Sequence, residues 1–300
     1  METPPESGGW VADGMGRVTH ERFFMNYNRK IAVTAALLCA AGAVPAMAQD
    51  AFTGPYVSVF GGGTKADDNA NDRLEFDTNR DGVFNENVNT IGGTNAFSPG
   101  FCDSSVDGNA PPCENDGKDW EYGARIGYDM RPGGMALIGT VLEVSRTELA
   151  DSTTGFSTTP ASYTVTREMD YAVSARARFG WVFGETVLAY ATGGASYADI
   201  DQTFTTTNGA NSFTEVNDDK MRWGWQAGGG MEFAVTPAIS LGAEYLYSDY
   251  GDGEYYVEVG PGTAGLTNPF RVVDPTGTDL RSSNDAFRTH SLRATATMRF

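Results

Sequence analysis

The feature that most constrains this chain is an alternation of apolar and polar residues with period two, repeated in segments of about ten residues. The last segment is the clearest. Leu292, Ala294, Ala296, Met298 and Phe300 alternate with Arg293, Thr295, Thr297 and Arg299. Residues at i and i+2 of a strand share a face, so this segment predicts a strand with one apolar side and one charged or hydroxylated side. Similar segments occur near 54–62, 120–130, 135–146, 168–182, 186–199, 222–233, 239–250 and 287–300. In 120–130, Tyr122, Ala124, Ile126 and Tyr128 stand opposite Glu121, Arg125 and Asp129. In 168–182, Tyr171, Val173, Ala175, Ala177 and Phe179 stand opposite Ser174, Arg176 and Arg178. In 222–233 and 239–250 the polar faces carry Glu232 and Glu244. Periodicity alone does not say whether the apolar face lines a soluble core or meets lipid.

The connections between segments decide. Three are hairpin-length: Pro132-Gly133-Gly134, Phe183-Gly184-Glu185 and Val235-Thr236-Pro237-Ala238. The others, 63–119, 149–167, 200–221 and 251–286, are long. Short and long links in alternation are the mark of an up-and-down transmembrane barrel, with tight turns on one side and large loops on the other. Soluble domains rarely carry four such loops on one end. Trp120, Tyr122, Trp223, Trp225, Tyr245, Tyr247 and Tyr250 fall at the long-loop ends of strands. Tyr128, Phe179, Trp181, Phe233 and Phe300 fall at the short-turn ends. Two aromatic bands fit two lipid–water interfaces.

Composition agrees. The chain has 300 residues, 37 of them Gly, and a net charge of −18 from 21 Lys and Arg against 39 Asp and Glu. Such a surface lacks the clustered cations that nucleic-acid phosphates require. One uncharged apolar run exists, Ile31 to Ala48, preceded by Arg29 and Lys30 and closed by Ala46-Met47-Ala48. A basic start, an apolar middle and an A-x-A site predict a secretory signal peptide over residues 1–48, cleaved after Ala48. Signal peptides start close to their basic residues, so translation is expected to begin at Met25, with residues 1–24 a start-site artefact. Residues 49–300 then form the barrel domain. In an exported chain Cys102 and Cys113, eleven positions apart, are expected to form a loop-closing disulfide.

The signal peptide, the eight-segment pattern, the run Ala243-Glu244-Tyr245-Leu246-Tyr247 and the terminal Ala296-Thr297-Met298-Arg299-Phe300 together resemble the outer-membrane β-barrel family. This is the porin-like/opacity group that includes the OmpA transmembrane domain and surface immunogenic proteins. The resemblance implies an all-β fold, an eight-stranded antiparallel up-and-down barrel in the outer membrane of a Gram-negative bacterium. It also implies that Phe300 is the signal read by the barrel assembly machinery.

An eight-stranded barrel is just wide enough for side chains to fill. Arg125, Glu143, Arg176, Arg178, Glu232, Glu244 and Arg293 are expected inside it, paired into a charge network that plugs the lumen. The competing expectation is a small-solute pore lined by the same residues. The loops hold most of the acidity, with twelve acids against four bases in 63–119. Within that stretch, Asp77, Asn79, Asp81 and Gly82 match the first half of an EF-hand loop, although position twelve is Val88. A weak Ca²⁺ site that orders the loop, or bridges it to lipopolysaccharide, is one expectation; an Asx-turn is the other. No other cofactor is expected.

An enzyme would need a nucleophile and a base on one face. The one His of the mature chain, His290, neighbours Ser291, and adjacent strand residues point to opposite faces. A lipid-modifying activity is therefore the remotest expectation. The sequence predicts a non-catalytic monomer serving envelope integrity and surface interaction, in contact with outer-membrane lipid and lipopolysaccharide. It names no external partner.

Overall fold

The computed structural model describes residues 51–67, 72–106, 113–251 and 254–300. The expected signal peptide and the Met25 start lie outside these residues. The described strands are β1 (Gly54–Ala66), β2 (Leu74–Asp77), β3 (Gly100–Cys102), β4 (Lys118–Gly133), β5 (Ala136–Ser157), β6 (Ala161–Phe183), β7 (Val187–Thr206), β8 (Ser212–Val216), β9 (Met221–Thr236), β10 (Ile239–Gly251), β11 (Tyr256–Gly260), β12 (Thr278–Ser282) and β13 (Ala286–Arg299). A 3₁₀ turn spans Pro269–Arg271.

Eight of these strands close on themselves in the order β1-β4-β5-β6-β7-β9-β10-β13, every pair antiparallel. The β1–β13 pair closes the ring, with Val57 opposite Met298 and Gly63 opposite Leu292. Closure removes free strand edges, which a lipid environment does not tolerate. The alternation sets which way each residue points. On β13, Arg293, Thr295, Thr297 and Arg299 are buried inside while Leu292 and Met298 are exposed on the outside.

The inside is narrow, and glycines make room for its aromatic rings. Tyr56 lies opposite Gly127, where a Cβ would stand 2.3 Å from the Tyr56 ring. Phe60 lies opposite Gly123 in the same way, at 2.4 Å. On the short-turn side, Gly184 and Glu185 both have positive φ, the geometry of a tight type I′ hairpin. Glu185 accepts two hydrogen bonds from Arg131, tying two turns together.

The long links differ from the sequence expectation. Residues 149–167 are not a loop: β5 runs on to Ser157 and β6 starts at Ala161. Residues 151–156 and 161–165 are all buried, so the segment lacks the one-sided alternation that marks a strand in the sequence. The links 63–119, 200–221 and 251–286 are also built up. They supply β2, β12, β11 and β8, which pair in that order into a second antiparallel sheet. This sheet packs on the outward extensions of the barrel strands around Leu74, Phe76, Phe97, Tyr163, Val257 and Leu280. Phe97 contacts Phe76 at 4.5 Å and Tyr163 at 5.3 Å between ring centres. The result is a folded cap over the outer mouth of the barrel.

One belt assignment is corrected. Tyr250 is fully buried and faces the lumen, where its hydroxyl meets Ser196 and Gln226. It shares strand parity with Glu244 and Ser248, not with Tyr245 and Tyr247.

Candidate functional site

The lumen contains two tiers of ion pairs. The tier nearer the cap is built by three arginines and three glutamates. Arg125 on β4 binds Glu244 on β10 at 2.8 Å and lies 3.8 Å from Glu143 on β5. Arg176 on β6 bonds Glu143 and stands 3.8 Å from Glu244. Arg293 on β13 binds Glu121 in a two-pronged pair, at 2.6 Å and 3.0 Å, and reaches Glu143 at 2.6 Å. Strand register prepares the Arg125–Glu143 contact, since the two lie opposite each other, and sets Glu244 opposite Arg293 at 3.7 Å.

The second tier sits toward the short turns. Arg178 binds Glu232 at 2.8 Å and Asp129 at 3.4 Å. Arg299 binds Glu232 at 3.0 Å and Asp129 at 3.2 Å. Ser240 donates to Glu232, and Tyr190 donates to Glu244 in the neighbouring tier. The guanidinium of Arg178 also lies 3.9 Å from the centre of the Tyr190 ring. Each tier balances its charges, which is what burial in a narrow interior demands.

Apolar layers bound the two tiers. Phe52, Leu137, Val182, Leu188 and Tyr190 fill the short-turn end. Ala66, Leu149, Met169, Ala172, Ala198, Ile200, Tyr250 and Phe287 fill the end under the cap. A buried ion pair, Arg167 with Asp151, stands beyond the second layer, with Arg167 also over the Phe287 ring.

All seven charged residues expected in the lumen, Arg125, Glu143, Arg176, Arg178, Glu232, Glu244 and Arg293, are brought together there. Glu121, Asp129 and Arg299 complete the tiers and were missing from that set, although their strand parity matches Arg125 and Arg293. Tyr56 and Tyr190 were also missed. The available signal was a glycine opposite each, Gly127 and Gly230, which leaves room for an inward ring.

Cys102 and Cys113 are joined by a disulfide. The half EF-hand gives a set of Asx-turns. Asp77 accepts from the backbone N–H groups of Asp81 and Gly82, Asn79 from that of Asp81, and Asp81 from that of Val83. Val88, at the position of the missing bidentate Glu, is buried in the cap core. Among the described residues no three His, Cys, Asp or Glu side chains are grouped to hold a metal.

His290 points to the lipid side, where its Nδ1 lies 2.6 Å from the Tyr245 hydroxyl. Ser291 points inward and donates to Thr64. Phe300 anchors the closing seam, its N–H donating to the Pro55 carbonyl at 3.1 Å.

A closed eight-stranded ring with an apolar exterior, aromatic girdles and a charge-filled interior defines an outer-membrane β-barrel protein. The chain belongs to the outer membrane protein beta-barrel domain family, whose model matches residues 34–300. Its place is the outer membrane of a Gram-negative bacterium. It is 32% identical over 84 residues to the 31 kDa outer-membrane immunogenic proteins of Brucella melitensis and Brucella suis. That match covers 28% of this chain and 35% of the length of those relatives. Among solved structures, it is similar to the outer membrane protein OprG from Pseudomonas aeruginosa, with TM-score 0.42 and 11% identity over 83% of this chain and 98% of that one. Neisserial surface protein A also aligns, with TM-score 0.34 and 13% identity over 83% and 98% of the two chains.

Proposed function

We propose that this protein is a non-conducting, non-catalytic barrel that contributes to envelope integrity and presents a folded acidic cap for surface interaction. The observation that carries this reading is the filling of the lumen by side chains. Two neutral tiers of ion pairs lie between two apolar layers, and the cap covers the outer mouth. Ions crossing such an interior would have to break buried pairs and enter apolar layers, each step costly. The divergence of His290 and Ser291 supports a role without catalysis. In this reading residues 1–48 direct export, the barrel assembly machinery reads Phe300, and the barrel works as a monomer in contact with outer-membrane lipid and lipopolysaccharide.

Planar-bilayer recording on the purified full chain tests the proposal. The expected result is a silent baseline. A steady conductance that disappears with Glu244→Ala or Arg176→Ala would overturn it in favour of a small-solute channel.

A further inference from the structure

The cap holds a cavity of about 230 Å³ that shares no residue with the lumen tiers. It lies at the tip of the β5–β6 hairpin, where the two longest of the described strands end. Four segments distant in sequence meet there: 96–97, the hairpin turn 157–161, the β7–β8 link 207–210 and the 3₁₀ turn with its cap, 268–270.

The back wall is aromatic. The rings of Phe97, Tyr163 and Phe270 lie together, with centroids 5.3 Å, 5.5 Å and 5.9 Å apart, and all three are buried. The mouth is open, since Thr159, Pro160, Thr207 and Gly209 are exposed. Polar groups stand between wall and mouth. The Asn208 amide is fully engaged: its Nδ2 donates to the Tyr163 hydroxyl and to Asn211, and its Oδ1 accepts from the N–H groups of Ala210 and Asn211. Asn268 is engaged by half. Its Oδ1 accepts from the Phe270 N–H and its Nδ2 donates to Asn211, which leaves one amide proton and one lone pair among the described residues. The Thr207 hydroxyl accepts from the Ser162 N–H and keeps its own proton to donate.

The lining selects its ligand by exclusion. No Asp, Glu, Lys, Arg or His lines the cavity among the described residues, in a chain with 39 acids and 21 Lys and Arg. Arg271, next to the wall, turns its guanidinium to the Ala264 and Pro275 carbonyls. A charged ligand would therefore be buried without a counter-ion. A pure hydrocarbon would leave the Asn268 amide and the Thr207 hydroxyl unpaired. What fits is a neutral molecule with an apolar face and several hydroxyls. A pyranose ring has this character. Its C–H face packs on the electron-rich faces of aromatic rings, and its hydroxyls both donate and accept. The volume is below the roughly 300–1,000 Å³ of sites for drug-sized ligands, so it suits one ring rather than a chain of them.

We propose that this cap pocket binds one neutral pyranose, laid against Phe97, Tyr163 and Phe270, with its hydroxyls held by Asn268 and Thr207. The proposal deepens the reading of the cap as an interaction surface and rests on it; it does not depend on whether the lumen conducts.

The test uses the full chain, folded in a detergent that carries no sugar. Saturation-transfer NMR is read with the methyl glycosides of glucose, galactose, mannose and N-acetylglucosamine at millimolar concentration. At least one is expected to bind. The uronate and the 6-phosphate of the sugar that binds best are expected to bind at least about tenfold more weakly, because their charge finds no partner in the pocket. A Cβ at Gly209 would meet nothing within 4 Å, so the mouth accepts a side chain there. Gly209→Trp is expected to cover the mouth and weaken binding at least about tenfold, while Gly209→Ala should bind as wild type does. Heat-modifiable gel migration establishes that each variant is folded. A neutral trisaccharide ending in the preferred unit separates two sources: if it binds, the pocket takes a glycan terminus, and if it is excluded, a free sugar. Silence from all the glycosides with wild type, equal binding of charged and neutral forms, or undiminished binding by the folded Gly209→Trp variant would overturn the proposal. Bilayer recording on the same preparation keeps such a failure distinct from a failure of the non-conducting reading.

Discussion

Arg293 holds both carboxylate oxygens of Glu121, through Nε at 3.0 Å and Nη2 at 2.6 Å, across 172 positions of sequence. Both side chains are buried in the lumen. Arg293 is the cation paired with Glu121 among the described residues.

Removing Arg293 therefore strands a buried carboxylate. Arg293→Ala is expected to destabilise the barrel by about 3–5 kcal/mol, the usual cost of breaking a buried pair from one side. Urea unfolding in liposomes, followed by tryptophan fluorescence, measures it. The double variant Arg293→Met, Glu121→Gln should lose less than Arg293→Ala alone. A larger loss in the double variant would contradict the pairing.

Gly127 sits under the Tyr56 ring, and its absent Cβ would also stand 2.6 Å from the Thr140 carbonyl oxygen. Gly127→Ala is expected to cost about 1–3 kcal/mol by overpacking, in the same unfolding assay. Gly63→Ala, facing open space on the outer wall, serves as the control and should be close to neutral.

The cap should unfold separately from the barrel. Leu280 is completely buried in the cap core and lies opposite Val257. Leu280→Ala is expected to remove about 2–5 kcal/mol of local stability. Protease added to intact cells should then cut within 254–286, while the barrel keeps its heat-modifiable migration. Loss of that migration would show that the cap and barrel fold as one unit.

The cap base should weaken as pH rises. Burial pushes the carboxyl of Asp116 up to about 6, and the neighbouring Asp151 charge adds to the shift. Asp72 is raised by burial as well. Between the ordinary Asp value and pH 6 the folded form binds protons that the unfolded chain releases. Stability is thus greatest below about pH 4 and falls as pH climbs through 6. Hydrogen exchange in residues 113–118 should be faster at pH 7.5 than at pH 5, and Asp116→Asn should flatten the difference.

Much of the barrel was legible because strand parity is a local property. The polar face of each segment named Arg125, Arg176, Arg178, Glu232, Glu244 and Arg293, and closure required those faces to meet. Their partners were not legible. Arg125 and Glu244 are 119 positions apart, and their contact depends on the stagger of the closed ring. The pairing of Glu121, Asp129 and Arg299 was hidden for the same reason. Val88 stands where an EF-hand loop carries its bidentate Glu; in the fold it is a core residue of the cap.

The sequence by itself determined the number of barrel strands, which face of each meets lipid, and which side bears the large loops, because a two-residue period and turn lengths are written locally. Only the tertiary structure decided that those loops fold into a second sheet, and that the lumen charges resolve into two neutral tiers. A segment buried on both faces loses the alternation that would reveal it, and an ion pair exists only once closure has set every strand's height against its neighbours.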